Sequence, residues 1–513
     1  MTARRTQAWL DARWTPAVFG GITALLVFIV WGGSLSALPL MHDEWAYWTQ
    51  AGQYAAQRWS LPSPPIPEFF EQLYVLVTPV FAAKYPPGHA LVMAPGFAIG
   101  MPALVPLLLT ATTGAVVFAL ARRLAGLWVA ALTLILWAST FGNLRFRATY
   151  FSELTTSCAW MITWWALIRW RDTRRWPWMA LLALATGWGA ITRPATMFLF
   201  AIPLGAVVVA DIWRTKRWAH LVIGVACGSA VLAILPLWSA RVTGNWRLTP
   251  LAEYTRQYLP FDIPGYTVDV TPPERALPPE MERVRGFLRD IKTEQATAPP
   301  ATTFFARAGL LMRDAFDGWR LPFVIAFVIG VVMGGPAAWF AFGTSLLLVI
   351  GYVTQAHTAD WSIYYLEAYP AIAFVAALGV RTIWRRTPAG RIGVSALPAW
   401  AVPLLLVVAL TGVAYDTVHA RDTLARIAAH TNSFRAGVAN LSKTPSIVFV
   451  RYAAPERRNM HLSLVANAGD LENATAWIVH DRGADDLRLI AANPGRTPYL
   501  YDEAKNAFYE ITR

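Results

Sequence analysis

Eleven apolar runs leave this chain few ways to fold. They fall at 16–39, 102–121, 127–142, 151–168, 176–192, 195–212, 219–239, 320–334, 336–354, 365–384 and 396–415. About 20 apolar residues span a bilayer as a helix. Inside lipid every backbone polar group must be paired within the segment, so such runs become helices. The runs at 127–142 and 320–334 are short. Of 513 residues, 56% are hydrophobic and only 15% are charged, against about 25% charged in a soluble chain. The expectation is a polytopic α-helical membrane protein with about eleven transmembrane helices. The N-terminal "MTARRTQAWLDARW" has the basic character of a signal peptide. The apolar run behind it is longer than a signal core, so it reads as a first membrane helix.

The net charge of +13 does not point to nucleic acid, because the basic residues cluster between apolar runs. Arg4 and Arg5 precede the first run, and Arg122 and Arg123 follow the second. The segments 169–176, 213–218 and 381–391 follow the fourth, sixth and tenth. With eleven crossings, all of these fall on the cytoplasmic side. The expected topology has a cytoplasmic N-terminus and an extracytoplasmic C-terminal domain. Cys158 and Cys227 lie inside apolar runs and form no disulfide or zinc pattern.

Three segments then face outward: 40–101, 240–319 and the tail after 415. The apolar stretch 89–100 reads as interfacial or re-entrant. Segment 240–319 is Pro-rich, and Phe304, Ala308, Leu311, Ala315 and Trp319 recur at helical spacing in its later part, as in a helix lying on the membrane. In the tail, "PSIVFVRY" and "ATAWIVHD" read as buried strands. The expected division is a membrane module, 1–415, and an extracytoplasmic linker with a small α/β domain, 416–513.

The residues that break the apolar pattern are the candidate site. "MHDEWAYWTQ" places Asp43 and Glu44 at the exit of the first run, where a carboxylate is costly unless it marks the water boundary or serves chemistry. On a helix over 43–59, Asp43, Tyr47, Gln50 and Tyr54 share one stripe, and Trp45, Trp48 and Trp59 fall largely opposite. Glu153 opens the fourth run at its outward end. Lys84, Arg145, Arg147 and Arg193 are cations on the outward side, suited to hold a phosphate as easily as to anchor at the interface. A late outward loop carries His357, Asp360 and Tyr364. His357 and Asp360 are close enough in sequence to pair.

Several segments in this order are similar to a known architecture: "HDEWAYWTQAGQYA", "KYPPGHALVMAPGF", "LARRLAG", "RFRATYFSELTT" and "YYLEAYPAIAFVAALGV". Over about residues 15–385 the chain resembles the GT-C superfamily of polytopic glycosyltransferases. The nearest branch is family 39, with protein O-mannosyltransferases and lipid A aminoarabinose transferases. The resemblance implies an inverting transferase that uses a polyprenyl-phosphate sugar on the outer face. It places the catalytic base at Asp43, with Glu44 as a stand-in and Glu153 as a second outward carboxylate. Lys84 matches the lysine of a Lys-Pro-Pro element, although Tyr85 is inserted. Lys84, Arg145, Arg147 and Arg193 would contact the donor phosphate, and Tyr47, Tyr54, His357, Asp360 and Tyr364 would line the pocket. Tyr364 and Tyr365 stand where many relatives have an Arg-Tyr pair. Residues 43–45 lack the Asp-x-Asp pattern of the metal-dependent branch, so no cofactor is required and a divalent metal is not favoured. The acceptor stays open among glycan, lipid and protein. The rival readings are a lipid or solute transporter, for which no internal repeat argues, and a sensor or assembly protein.

Overall fold

The computed structural model describes residues 12–386, 401–454, 462–467 and 469–512. Arg4, Arg5 and residues 396–400 of the last apolar run lie outside the described residues. Each apolar run contains helix where it is described, although residues 31–39 of the first run are not helical. In chain order the helices are α1 (Thr15–Val30), α2 (His42–Ala55), α3 (Gly88–Ala98), α4 (Leu104–Ala125), α5 (Leu127–Ala138), α6 (Phe141–Arg147), α7 (Glu153–Thr173), α8 (Trp176–Ala190), α9 (Pro194–Thr215), α10 (Trp218–Leu232), α11 (Ile234–Thr243), α12 (Pro250–Tyr258), α13 (Pro279–Thr297), α14 (Pro300–Ala315), α15 (Phe323–Met333), α16 (Pro336–Tyr352), α17 (Tyr369–Arg386), α18 (Ala401–Ala439) and α19 (Asp486–Ala492). The strands are β1 (Leu61–Pro62), β2 (Val75–Leu76), β3 (Val80–Ala83), β4 (Ser446–Arg451), β5 (Ala476–His480), β6 (Thr497–Asp502) and β7 (Ala507–Glu510).

By length and apolar character alone, four segments among the described residues can cross a membrane: α4, α9, the run 218–243 formed by α10 and α11, and 362–386, which ends in α17. The bent pairs α5–α6 (70°) and α15–α16 (113°) raise that to six. The expectation of eleven crossings therefore exceeds what these criteria alone support. The 16 residues of α1 reach only about 24 Å at 1.5 Å per residue.

One end of the bundle is basic. Arg123 Nε meets Asp172 at 3.0 Å, and Asp211 receives Arg171 at 2.8 Å and Arg174 at 3.4 Å. Arg381 donates to the Ala125 carbonyl at 3.1 Å, and Arg122 to that of Ala12 at 3.4 Å. The arginine clusters after the second, fourth and tenth runs thus gather at a single end. At the opposite end stand α2, α3, both sheets and the C-terminal tail.

The tail is the α/β unit expected from its strands. Its sheet runs β5-β4-β6-β7, with β4 parallel to both β5 and β6 and β7 antiparallel to β6. Alternation along β4 sends Ile447 and Phe449 to one face, where they join Phe69, Phe70 and Val75 of the first outer segment together with α19. Val448 and Val450 face Phe434 of α18. Three features lie beyond the sequence reading. The first outer segment holds a three-stranded sheet, β1-β3-β2. The Pro-rich 240–319 segment contains α12 and α13, with prolines in their first turns. The linker after 415 is helix, because α18 continues for 39 residues, about 58 Å.

Glycine sets the closest helix contact. A Cβ on Gly379 of α17 would lie 1.7 Å from the Ala326 carbonyl oxygen of α15, and one on Gly330 would lie 2.0 Å from that of Val375. Small residues let backbones approach in this way inside lipid. Gly379→Val should lower the thermal unfolding midpoint of the purified protein in detergent, at a cost of ~1–3 kcal/mol or more. Gly343→Val, which meets nothing within 4 Å, should leave the midpoint unchanged.

Candidate active site

Asp43 lies in the first turn of α2, where the helix dipole favours a negative charge. Its Oδ1 accepts a hydrogen bond from the Tyr85 hydroxyl. The expected stripe meets the Tyr85 segment along its length. The Tyr47 ring stacks on that of Tyr85 at 4.5 Å, and Gln50 donates to the Tyr85 carbonyl at 2.8 Å and to the Tyr54 hydroxyl at 3.0 Å. The stripe therefore packs against chain, and Tyr54 ends against Trp59 at 5.2 Å. Burial pushes the Asp43 carboxyl above its ordinary range, against the opposing pull of the Tyr85 hydroxyl and the Lys84 charge.

Lys84 is buried at the end of β3 inside a cage of tyrosines. Its Nζ lies 4.2 Å from the Tyr74 ring centre, 5.1 Å from Tyr254 and 5.4 Å from Tyr85. Its ion-pair partner is Asp262, at 3.5 Å. Asp43 and Lys84 thus share one polar site, with Tyr85 between them.

A second cluster adjoins it. Arg193, just before α9, pairs with Glu153 at the start of α7 and with Glu367, whose Oε1 is 3.2 Å away. It also donates to the Tyr352 hydroxyl at 2.7 Å. Tyr47 donates to Ser152 at 2.8 Å, and Ser152 to Glu153 at 3.3 Å, so the two clusters are joined through α2. His89 sits edge-on to Tyr47 at 4.9 Å. Burial pushes its pKa down to about 4.

The remaining expected residues take distinct places. Glu44 points away from Tyr85 and accepts from the Tyr150 backbone N–H at 3.4 Å. Arg145 is half-buried over the rings of Phe146 (4.5 Å) and Phe141 (5.6 Å), with no hydrogen bond or ion pair among the described residues. Arg147 turns into the bundle, bonded to Asn143 at 2.8 Å and Ser157 at 3.1 Å over Trp137. His357 does not pair with Asp360, which is exposed. Its Nε2 meets the Tyr365 hydroxyl at 3.0 Å, and its ring lies 4.4 Å from that of Tyr364. Among the described residues no group of three or more His, Cys, Asp or Glu is placed to hold a metal ion. Tyr74, Tyr254, Asp262 and Glu367 belong to the site without having stood out in the sequence.

The sequence profile of the family described as dolichyl-phosphate-mannose-protein mannosyltransferase matches residues 78–238. That stretch contains Lys84, Arg145, Glu153 and Arg193. Together with the fold, this match makes the chain similar to membrane glycosyltransferases of GT-C architecture, family 39 among them. The particular likeness among solved structures is to ArnT from Cupriavidus metallidurans. The form bound to undecaprenyl phosphate matches with a TM-score of 0.56 and 15% identity, over 96% of this chain and 91% of that one. The apo form matches at 0.53 and 15% identity, over 93% and 88%. At such identity the likeness is one of fold. Among curated proteins none matches this sequence significantly.

Two outcomes follow from this geometry. Arg193→Gln leaves Glu153 and Glu367 buried without their cation and should destabilise the protein by ~3–5 kcal/mol, read as a fall in thermal midpoint. Arg193→Gln combined with Glu153→Gln should recover part of that loss. Burial also pushes the Glu44 carboxyl up to about 8 from 4.5. A raised carboxyl favours the fold in its protonated form, so its contribution is full below 4.5 and is lost as pH rises through about 8. Glu44→Gln should therefore unfold at a higher temperature than wild type at pH 9 and at nearly the same temperature at pH 4.5.

Proposed function

We propose that the chain transfers a sugar from a polyprenyl-phosphate donor to an acceptor hydroxyl with inversion, and that Asp43 is the general base. The observation that carries this reading is the meeting of a half-buried carboxylate, Asp43, with a caged ammonium, Lys84, across Tyr85. An acceptor hydroxyl is a poor nucleophile at neutral pH, and a positioned base contributes ~10²–10⁴-fold. In the scheme, Asp43 takes the acceptor proton as the acceptor oxygen attacks the anomeric carbon from the face opposite the phosphate. The bond from that carbon to the phosphate oxygen breaks, and polyprenyl phosphate leaves with the electron pair. A single displacement inverts the centre.

Charge that develops on the leaving phosphate needs fixed cations. Lys84 is assigned this role, with the donor phosphate displacing Asp262, and Arg145 is assigned a second contact because its guanidinium forms no ion pair among the described residues. The scheme requires no metal. Glu153 and Arg193 act as a positioning pair behind Tyr47. Arg147 and Glu44 are assigned structural roles. The undecaprenyl phosphate bound to ArnT supports a lipid-phosphate donor here. We place the site on the extracytoplasmic face of a bacterial plasma membrane, with a cytoplasmic N-terminus. We assign chemistry to residues 1–415 and a role at the acceptor side to 416–513.

Release of polyprenyl phosphate from a panel of polyprenyl-phosphate sugars tests the reading, with purified protein in lipid. Wild type should release it, and Asp43→Asn should lose at least 100-fold while remaining folded. A base must be ionised, so activity should rise with pH, and this limb should lie above the ordinary carboxylate range because Asp43 is raised. Near-normal release by Asp43→Asn would sink the assignment.

A further inference from the structure

Among the described residues Tyr85 is the one side chain hydrogen-bonded to Asp43. The tyrosine is itself held by groups other than Asp43. Pro86 follows it directly and disfavours a helical backbone at Tyr85. Its carbonyl accepts from Gln50 Nε2 at 2.8 Å. Its ring stacks on that of Tyr47 at 4.5 Å with the planes 24° apart, and Lys84 Nζ lies 5.4 Å from the ring centre. Backbone and ring are both anchored, so the hydroxyl reaches Asp43 from a fixed frame. The carboxylate, on two rotatable bonds, is the partner that is oriented.

The bond distinguishes the two carboxylate oxygens. Oδ1 accepts the phenol proton, and no other side chain among the described residues bonds to Oδ2. Lys84, the cation of the site, pairs with Asp262 at 3.5 Å instead. A carboxylate held by one oxygen presents the lone pairs of the other in a set direction, and a general base works only from a set direction. A hydrogen bond donated to the ionised form also favours that form. One hydroxyl therefore both aims the carboxylate and holds it in the state that can accept a proton.

We propose that Tyr85 is a positioning residue for the transfer: its hydroxyl locks Oδ1 of Asp43 and leaves Oδ2 to take the acceptor proton. The phenol keeps its own proton, while the acceptor O–H bond breaks and that proton ends on Oδ2. This rests on the glycosyltransferase reading above, but the lock can be measured without turnover. Tyr85→Phe removes one oxygen and keeps the ring, so the Tyr47 stack and the Lys84 contact remain. The other titratable groups that face Asp43 also remain. From α2 these are Glu44 and Tyr47, and from the first outer segment Lys84 and Tyr74. Tyr254 and Asp262 face it from α12 and the turn after it, Glu153 from α7 and Tyr364 from the late outward loop.

The test is an infrared pH titration of the full chain in lipid nanodiscs. The carboxyl C=O band lost on Asp43→Asn reports Asp43 alone. Wild type is compared with Asp43→Asn, and Tyr85→Phe with the double variant Tyr85→Phe, Asp43→Asn. Loss of a hydrogen bond to the anion should raise the Asp43 midpoint by ~1 pH unit or more in Tyr85→Phe. Tyr501→Phe, whose hydroxyl donates to Asn506 in the tail at 3.0 Å, should leave the midpoint in place. In turnover of a polyprenyl-phosphate sugar, Tyr85→Phe should lower plateau kcat by ~10-fold or more and keep the donor KM within twofold. Its acid limb should move upward by the same step as the infrared midpoint. An unmoved or lowered midpoint, an unmoved limb, or a raised donor KM at unchanged kcat overturns the positioning role. A raised infrared midpoint with no turnover by wild type overturns the transferase reading and leaves the lock a structural bond.

Discussion

Arg193 is the charge around which the site is arranged. It stands before α9 and holds one carboxylate from the start of α7 and another from the turn that leads into α17. All three groups are largely buried, so separating any of them strands a charge where water cannot reach it. That penalty fixes the relative height of three helices at the site end of the bundle. The chain Glu153–Ser152–Tyr47 then carries this fixed point to α2, and the Tyr47–Tyr85 stack carries it to Asp43. The proposed base thus stands on a framework set by an ion pair on other helices.

The other side of α2 is closed by the tail. Arg435 lies 4.3 Å over the Trp45 ring, and Thr49 donates to the Asn467 carbonyl at 2.9 Å. The chain at Gly469 comes so near that a Cβ there would lie 2.4 Å from the Gln53 amide nitrogen. The helix that carries Asp43 is therefore clamped between bundle and tail. Burial of this kind raises the energy of the Asp43 anion and makes it a stronger base than an exposed carboxylate. The tail earns a place in the chemistry without contributing a group to it.

The parts of this architecture that the sequence revealed are those dictated by the solvent. Lipid leaves an apolar run no conformation but helix, so the runs, the α2 stripe and the basic end could be read directly. Short continuous apolar runs exposed the buried strands β4 and β5 in the same way. What escaped depends on distant contacts. β1 and β2 are two residues long, too short for any pattern. α12 and α13 are hidden by prolines that mark their starts. Tyr74, Tyr254 and Asp262 carry no local signal, because each matters only through Lys84, to which the fold brings them. His357 and Asp360 have the right spacing to pair, yet the turn over 362–368 places the Tyr365 hydroxyl at the imidazole instead.

The inserted Tyr85 has a physical consequence for the proposed reaction. A carboxylate in direct contact with a buried ammonium is held ionised and is a weak base. Here Asp43 and Lys84 form no ion pair with each other. The phenol of Tyr85 binds Asp43, its ring borders Lys84 at 5.4 Å, and Lys84 pairs with Asp262. The tyrosine stands between the proposed base and the cation, and its hydroxyl itself draws the Asp43 carboxyl down against the larger effect of burial. In the proposed reaction proton removal falls to Asp43 and leaving-group stabilisation to Lys84, and between them the Tyr85 hydroxyl is bonded to the carboxylate.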